Sequence, residues 1–309
     1  MQTLQSQDGL SLLWRQWRKP DASPARGTVL IVHGLGEHSG RYEAVALRLN
    51  QAGWQVVAYD QRGHGVSGGA RGALPNAEAF QQDLAQVIDA LRADPVLAVG
   101  PLLLLGHSMG GLVAARFVAG GLMANSAGAL PAWFRPVDGL ILSSPALDTD
   151  MSLWQRVQLA LGMALAPQLA VGNGLKPGWI SRDVAVVAAY EADRLVHDRI
   201  TPALARAIVD DGEQVRQHAP DWVVPTLLLW AGSDLCVAPG GSAEFADAAP
   251  AGVVTARCFE PLFHEIFNEP EREQVFAQLE AWLDGKGDAP ISDLPSRLAV
   301  APPPVHLTA

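Results

Sequence analysis

The residues best able to do chemistry lie at Gly106-His107-Ser108-Met109-Gly110, where an apolar run meets a run that favours helix. A serine hydroxyl is a poor nucleophile unless it is exposed beside a base, and a sharp turn from strand to helix exposes it. Glycines on both sides of the serine remove the Cβ atoms that such a turn would bring into collision. The pattern G-x-S-x-G therefore predicts Ser108 as a nucleophile.

A second match to this pattern, Gly65 to Gly69, has a different context. Its serine, Ser67, is neither preceded directly by a predicted strand nor followed by a predicted helix, and we interpret it as a loop residue. The glycines at 63, 65 and 68 also fit G-x-G-x-x-G, the pattern of dinucleotide-binding oxidoreductases. No predicted helix follows to receive a pyrophosphate, and no acidic strand end follows at the right distance, which disfavours that class.

A serine nucleophile needs a base, and the base needs an acid that orients it. In open α/β sheets, catalytic groups gather at the C-terminal ends of the strands. Asp234 follows a predicted strand at 226–230, and His264 follows the next one at 253–259. The sequence therefore predicts that Ser108, His264 and Asp234 act together.

Other residues compete for these roles. Asp148 and Asp150 follow an earlier predicted strand and remain alternatives for the acid. Asp198 and Asp247 lie in predicted helices or loops and fit the role less well. Three further histidines adjoin tight glycine turns, where structural hydrogen bonding is the ordinary role: His33, His64 and His107. No metal is expected, because the segment that begins at His264 lacks the second histidine of H-E-x-x-H and the sequence has no cluster of cysteine and histidine.

The negative charge that develops on a carbonyl oxygen needs two backbone N–H donors. Met109 follows the nucleophile and opens a predicted helix, whose N-terminal end carries partial positive charge. We expect the second donor in the loop after the first central strand, H-G-L-G at 33–36, and assign it to Leu35. Loss of one such donor typically costs about 10²–10³ in rate.

Composition bounds the class of protein. The 309 residues are 49% apolar and 17% charged, which suits one large α/β domain. The net charge of −10, with no run of lysine or arginine, disfavours a nucleic-acid partner. The two cysteines, Cys236 and Cys258, predict reduced thiols in a cytoplasmic protein. The N-terminus has no signal-peptide pattern, and the most apolar window, 157–172, is too short to span a membrane.

Apolar strands alternate with helical patterns along the chain. Predicted strands cover 28–32, 54–59, 102–105, 139–144, 226–230 and 253–259. Predicted helices cover 41–51, 76–93, 109–119, 242–248 and 271–283. This alternation predicts an α/β fold with a mostly parallel sheet between helices, and an antiparallel hairpin at one edge up to about Arg18. Asn76 is predicted to cap the second helix.

Between the strand ending at 144 and the strand beginning at 226, the sequence predicts helices alone. We therefore predict a helical cap at 148–222, which would act as a lid over the C-terminal edge of the sheet. The α/β core would then comprise 1–147 and 223–285. The proline-rich segment 286–309 is predicted to be a disordered tail.

The stretch from His33 to Tyr42, H-G-L-G-E-H-S-G-R-Y, resembles the signature of monoacylglycerol lipases and related lysophospholipase-like serine hydrolases. Three further motifs agree with it: Tyr59 to Gly68, Gly106 to Gly111, and Ser143 to Leu147. The resemblance covers about residues 27–285 and is weakest in the cap. It implies the α/β-hydrolase fold with a cap after the sixth strand. It also implies cofactor-free cleavage of monoacylglycerol or similar lipidic esters by the same three residues, Ser108, Asp234 and His264.

The resemblance also suggests substrate contacts. Glu37 and Arg41 are expected near the polar end of the pocket, where they could shape an alcohol-binding site; a salt bridge that braces the oxyanion loop is the alternative. His107 borders the nucleophile and is a candidate contact for the leaving group. The helix predicted at 151–165 has an apolar face, with Leu153 among its residues, that suits an acyl chain or peripheral contact with a membrane.

Other activities remain as alternatives. A lysophospholipase, an acyltransferase or an aminopeptidase could use the same fold and nucleophile. An aminopeptidase would need acidic groups that hold a free amine, and the cap offers several: Glu191, Asp193, Asp198, Asp210 and Asp211. A catalytically inactive binding protein on a hydrolase scaffold is the alternative from a different class, and the complete set of three catalytic residue types argues against it.

Overall fold

The computed structural model describes residues 2–19, 23–124 and 128–285. Within them, the main sheet has eight strands: β1 Gln2–Gln5, β2 Ser11–Trp17, β3 Thr28–Val32, β4 Gln55–Tyr59, β5 Leu102–His107, β6 Gly139–Ser143, β9 Thr226–Ala231 and β10 Val254–Phe259. Two short strands form a separate antiparallel pair: β7 Val171–Gly172 and β8 Arg199–Ile200. The tail predicted at 286–309 lies outside the described residues.

The α-helices are α1 Glu43–Gln51, α2 Ala79–Ala93, α3 Met109–Ala119, α4 Leu153–Leu165, α5 Val184–Ala192, α6 Pro202–Gln217, α7 Pro239–Ala248 and α8 Arg272–Leu283. The strand order is β1-β2-β4-β3-β5-β6-β9-β10. Pairing is antiparallel from β1 through β2 to β4 and parallel across the rest of the sheet. The predicted parallel sheet with an antiparallel edge hairpin is confirmed.

Alternate residues of β3 point into two hydrophobic cores, one on each face of the sheet. Leu30 and Val32 pack with buried residues of α2, α3, α6 and α7. Val29 and Ile31 pack with buried residues of α1 and α8. Because both faces are covered by helices, the central strands are continuous apolar runs, and this explains why their positions could be predicted from the sequence.

The segment between β6 and β9 contains α4, β7, α5, β8 and α6, and we call residues 148–222 the cap segment. Its last helix, α6, packs against α3, and Leu204 and Val215 of α6 lie in the core beside α3. The cap segment is therefore joined closely to the helix that follows Ser108.

Helix α4 has no buried residue, and several of its large apolar side chains are exposed. Ser152 and Gln155 form a capping box at its N-terminus, which stabilises the helix locally. Leu153 and Leu165 are 80% and 81% exposed, and Trp154 is 66% exposed. Within the described residues, no helix is long and apolar enough to cross a bilayer.

The predicted cap of α2 is wrong. The helix begins at Ala79, and its N-cap residue is Glu78 without a capping side chain. Asn76 lies two residues earlier, where its Oδ1 accepts a hydrogen bond from the Glu78 N–H at 3.0 Å. The asparagine closes a turn ahead of the helix, which is a second common role for this side chain.

Candidate active site

Ser108 lies at a sharp turn between β5 and α3, with φ 54° and ψ −124°. A positive φ is unfavourable for a residue with a Cβ, so the surrounding structure must impose it. The Ser108 N–H donates to the Ser143 carbonyl at 3.0 Å. An added Cβ on Gly110 would lie 2.1 Å from the Val32 carbonyl oxygen, so this close approach of α3 to β3 requires glycine. The serine is half-buried and lines a pocket beside the turn.

Ser67 lies in a loop, as the sequence predicts, and its side chain has a structural role. It is buried, its hydroxyl donates to the Asp60 carbonyl at 2.5 Å, and it accepts from the Leu13 N–H at 2.8 Å. The glycines around it lie in a loop that continues until α2 begins at Ala79. No helix N-terminus therefore follows these glycines directly, as a dinucleotide site of this pattern would need.

His264 and Asp234 meet at the C-terminal end of the sheet. His264 Nδ1 donates to Asp234 Oδ2 at 2.7 Å, and both side chains are almost fully buried. The other Asp234 oxygen accepts from the backbone N–H groups of Cys236 and Val237, at 2.8 and 3.1 Å. These bonds fix the carboxylate and leave Nε2 as the free nitrogen of the His264 ring.

Burial alone would lower the pKa of His264, because it disfavours the charged imidazolium. The Asp234 charge and hydrogen bond, and the nearby carboxylates Glu265 and Glu37, outweigh that effect and raise the pKa above its ordinary value. Ser108 and His264 line the same pocket. Neither Ser108 Oγ nor His264 Nε2 forms a hydrogen bond with any described residue, so the hydroxyl and the ring nitrogen are both available to a substrate.

None of the alternative acids is hydrogen-bonded to His264. Asp148 Oδ1 accepts from the N–H groups of Thr149 and Asp150, at 2.7 and 3.2 Å, and neither aspartate bonds to His264. Asp198 pairs with Arg199 at 3.1 Å, and Asp247 is exposed on α7.

The loop that follows β3 carries the predicted oxyanion donor Leu35. The N–H of Gly34 donates to Glu37 Oε1 at 2.6 Å, which fixes the start of this loop. Within the described chain, the N–H groups of Leu35 and Met109 have no hydrogen-bond partner. Leu35 lines the pocket, and Met109 is the first residue of α3, so its N–H lies at the positive end of the helix.

Glu37 and Arg41 form the salt bridge that the sequence left as one of two alternatives. Arg41 Nη1 lies 2.6 Å from Glu37 Oε2, and both side chains are nearly buried. Sequence reasoning missed the second partner of Arg41, which is Glu265, the residue directly after His264. Burial would raise the pKa of Glu37, but the Arg41 charge lowers it to about 2, so the carboxylate is ionised.

The predicted leaving-group contact, His107, lies beside His264, with ring centroids 4.7 Å apart. Its Nδ1 donates to the Ser143 carbonyl at 3.0 Å. Burial, and then the charge of His264, lower the pKa of His107 to about 4, so the ring is neutral at pH 7. The ring also lines the pocket, and so do Glu37 and Arg41.

The pocket has a volume of about 590 Å³, and more than half of its lining residues belong to the cap segment. Several contacts attach the cap segment to the core loops around the pocket, among them three hydrogen bonds. The His197 N–H donates to the Gly36 carbonyl at 2.8 Å, and His38 Nε2 donates to Asp193 Oδ2 at 2.8 Å. The Glu265 N–H donates to the Ile180 carbonyl, also at 2.8 Å.

Comparison with known proteins identifies the family. A family model described as serine aminopeptidase, S33, matches residues 23–271. The chain belongs to this α/β-hydrolase family. It is 35% identical over 280 residues to a monoacylglycerol lipase of Mycolicibacterium smegmatis, covering 89% of this chain and 93% of the relative. The predicted family and fold class are confirmed.

Two further similarities extend the comparison. The crystal structure of the Paleococcus ferrophilus monoacylglycerol lipase superposes with a TM-score of 0.73 at 32% identity, covering 88% of this hydrolase and 97% of that chain. An uncharacterized abhydrolase domain-containing protein of Dictyostelium discoideum is 33% identical over 300 residues. That match covers 94% of this hydrolase but only 30% of the length of the Dictyostelium protein.

Donor atoms of Asp234, Cys236 and His264 lie within 4.8 Å of one another in this hydrolase. The Asp234 and His264 atoms are already hydrogen-bonded to each other, and burial raises the pKa of the Cys236 thiol well above its usual range. A metal would need the thiolate and would have to break the hydrogen bond, so we assign none to this set. Neither Cys236 nor Cys258 forms a disulfide with another described residue.

The acidic residues considered for an amine site fall into two groups. Glu191, Asp193 and Asp198 line the pocket. Asp210 and Asp211 lie on α6, where they pair with Arg206 and Arg116 respectively. Only the first group could contact a substrate of this hydrolase.

Proposed function

We propose that this chain is a serine ester hydrolase that cleaves monoacylglycerol or similar lipidic esters through an acyl-enzyme. The observation that carries the proposal is the 2.7 Å hydrogen bond from His264 to Asp234, formed beside a serine with positive φ in a shared pocket. Such an arrangement suits nucleophilic catalysis, because the acid orients the base and the turn exposes the hydroxyl.

In the proposed mechanism, His264 Nε2 takes the Ser108 proton while Oγ attacks the ester carbonyl carbon. The N–H groups of Leu35 and Met109 stabilise the oxyanion that forms. The imidazolium then gives its proton to the leaving alcohol as the carbon–oxygen bond breaks. His264 then takes a proton from a water molecule, which attacks the acyl carbon of the acyl-enzyme. As the bond from this carbon to Ser108 Oγ breaks, His264 returns the proton to Oγ and the acid is released. Asp234 keeps the proton of the neutral ring on Nδ1 and stabilises the imidazolium throughout.

The lining of the pocket supports a lipidic ester. Leu35, Leu175, Ile180 and Val196 provide apolar surface for an acyl chain, while ionised groups lie at the Arg41 side. Two relatives with at least 32% identity are named monoacylglycerol lipases. The exposed apolar residues of α4 support a further part of the proposal, that the cap segment contacts a membrane peripherally and takes its substrate there.

An aminopeptidase is the second candidate, because three carboxylates of the cap segment line the pocket and could hold a free amine. Asp193 is engaged by His38, whereas Glu191 forms no ion pair with any described residue. The alternatives of lysophospholipase and acyltransferase share the acyl-enzyme and differ in the alcohol that leaves or attacks.

One substrate screen separates these candidates. Purified protein is tested on monoacylglycerols, lysophospholipids and amino-acid anilides, with Ser108→Ala as the blank. We expect hydrolysis of monoacylglycerols, loss of about 10⁶ in kcat for the variant, and fluorophosphonate labelling of the wild type alone. Cleavage of anilides without ester hydrolysis would favour the aminopeptidase. Labelling that persists in Ser108→Ala would overturn the assigned nucleophile.

A further inference from the structure

The guanidinium of Arg41 binds two carboxylates from distant parts of the chain. Nη1 donates to Glu37 Oε2 and to Glu265 Oε1, both at 2.6 Å, and Nη2 donates to Glu265 Oε2 at 2.8 Å. The pair with Glu265 is bidentate, a geometry that fixes orientation as well as distance. The side chain of Arg41 is 12% exposed, so solvent weakens these bonds little.

Each carboxylate is joined to a different part of the active site. Glu37 Oε1 accepts from the Gly34 N–H and from the Tyr42 hydroxyl, both at 2.6 Å. Gly34 directly precedes Leu35, so Glu37 fixes the peptide next to the proposed oxyanion donor. Glu265 directly follows His264, so its side chain fixes the backbone next to the proposed general base.

Further contacts hold the Glu265 side of this cluster. Asn268 Nδ2 donates to Glu265 Oε2 at 2.8 Å, and the Glu265 N–H donates to the Ile180 carbonyl. The ring of Tyr190, from α5 of the cap segment, lies over the guanidinium with its centroid 4.8 Å from Cζ. The donors of Arg41 are thus used by the protein's own carboxylates, and an aromatic ring covers one of its faces.

We propose that Arg41 and Glu265 are positioning residues, which hold the general-base loop and the oxyanion loop at one fixed separation. This inference rests on the proposed ester hydrolysis at Ser108. It assigns Arg41 a role in alignment in place of alcohol binding, and it gives Glu265 a role that no sequence motif suggested. We call the ion pairs of Arg41 with Glu37 and Glu265 the clamp. Misplacement of reacting groups by about 1 Å can cost on the order of 10²-fold in rate, so loss of the clamp should lower the rate measurably.

The variant Glu265→Gln tests the clamp through its effect on the pKa of the proposed general base, His264. The titratable groups around His264 are Asp234 and Cys236 from the loop after β9, His107 from β5, and Glu37 from the oxyanion loop. Arg41 lines the same pocket and binds Glu37. Glu265 is among the carboxylates that raise the pKa of His264. The neutral amide should therefore lower the pKa of His264 and move the acid limb of kcat/KM to lower pH. If Glu265→Gln only destabilised the fold, the fraction of active protein would fall and the acid limb of kcat/KM would stay at the same pH.

Arg41→Lys tests the clamp through its geometry, because a lysine ammonium cannot bind two carboxylates in the same fork. With active sites counted by fluorophosphonate titration, we expect kcat to fall about 10- to 100-fold while KM changes less than about threefold. The loss should be equal for a monoacylglycerol and a p-nitrophenyl ester, because positioning does not depend on the leaving group.

Arg62→Lys is the matched control. Arg62 is also buried, also binds two carboxylates, Asp83 and Asp8, and is bidentate with Asp83 at 2.6 and 2.7 Å. This variant should lower Tm by an amount similar to Arg41→Lys and leave kcat per active site and the acid limb unchanged.

Three results would overturn the clamp. They are a KM that rises in Arg41→Lys for the monoacylglycerol alone, unchanged kcat for both esters, or an unmoved acid limb in Glu265→Gln. A wild-type protein that hydrolyses no ester would contradict the proposed function instead. The rate at which a fluorophosphonate labels Ser108 would then still test the clamp, since it should fall about tenfold or more in Arg41→Lys and stay unchanged in Arg62→Lys.

Discussion

Asp234 controls which nitrogen of His264 carries the proton, since its carboxylate accepts from Nδ1 at 2.7 Å. In Asp234→Asn the side-chain amide can donate to Nδ1, which places the proton on Nε2 and prevents that nitrogen from accepting the Ser108 proton. We expect kcat to fall about 10⁴-fold. The measurement is steady-state hydrolysis of a p-nitrophenyl ester by protein whose fold is checked by circular dichroism.

Asp148→Asn is the control for this prediction, because Asp148 was the alternative acid and its oxygen accepts only from neighbouring backbone groups in this structure. Its kcat should stay within about threefold of the wild type, since only local hydrogen bonds of about 1 kcal/mol change. A collapse of kcat in Asp148→Asn, with little effect in Asp234→Asn, would reassign the acid.

Which residues could be predicted depends on how local their signals are. Ser108, Asp234 and His264 each follow a recognisable apolar strand, so position along the chain was enough to select them. The bond between Arg41 and Glu265 joins residues 224 positions apart, and neither side chain lies in a motif that specifies the other. Only the fold brings them together, and a charged pair on the surface would have the same sequence signature.

At the scale of elements, burial on both faces made the central strands easy to predict. The predicted span 28–32 matches β3, all of whose residues are buried. For α4 the pattern identified an apolar face that includes Leu153, yet Leu153 and Leu161 are 80% and 54% exposed in the structure. Periodicity shows which side chains lie together, while what covers them depends on the rest of the structure or on a partner.

The exposed face of α4 leads to a prediction about membrane contact. Leu153→Glu with Leu161→Glu should weaken binding to phosphatidylcholine vesicles about tenfold or more, because burial of one leucine contributes about 1.5–3 kcal/mol. Hydrolysis of vesicle-borne monoacylglycerol should fall with binding, while kcat on a short soluble ester should stay unchanged.

Leu47→Glu with Val96→Glu is the matched control, because these residues are also exposed, at 48% and 44%, and lie outside the cap segment. Vesicle binding should be unaffected in this double variant. Equal losses in both double variants would mean that α4 is not the contact surface, and that added negative charge alone repels the protein from the vesicle.

For the whole molecule, buried imidazoles link stability to pH. His33, His64 and His107 are all buried, and burial is the main cause that lowers the pKa of each ring. They stay neutral in the folded state at pH values where the unfolded chain, with an ordinary pKa near 6.5, takes up a proton. Unfolding therefore binds protons between about pH 6.5 and pH 4, and stability is lost as the pH falls through this range.

Two carboxyls oppose this trend, since burial raises the pKa of Asp211 to about 6 and also raises the pKa of Asp83, so the folded state holds protons that the unfolded state lacks. Burial also lowers the pKa of His197, to about 4, and this ring adds to the effect of the three named above. Unfolding should therefore take up protons on balance near pH 5.5, and the free energy of unfolding should fall as the pH falls. Urea titrations between pH 7.5 and pH 5 measure this slope. His64→Gln removes one of the three rings and should reduce the slope by about 1.4 kcal/mol per pH unit, whatever it does to stability at pH 7.5. An unchanged slope in that variant would mean that His64 is protonated in the folded protein or that the acid-sensitive groups lie elsewhere in the molecule.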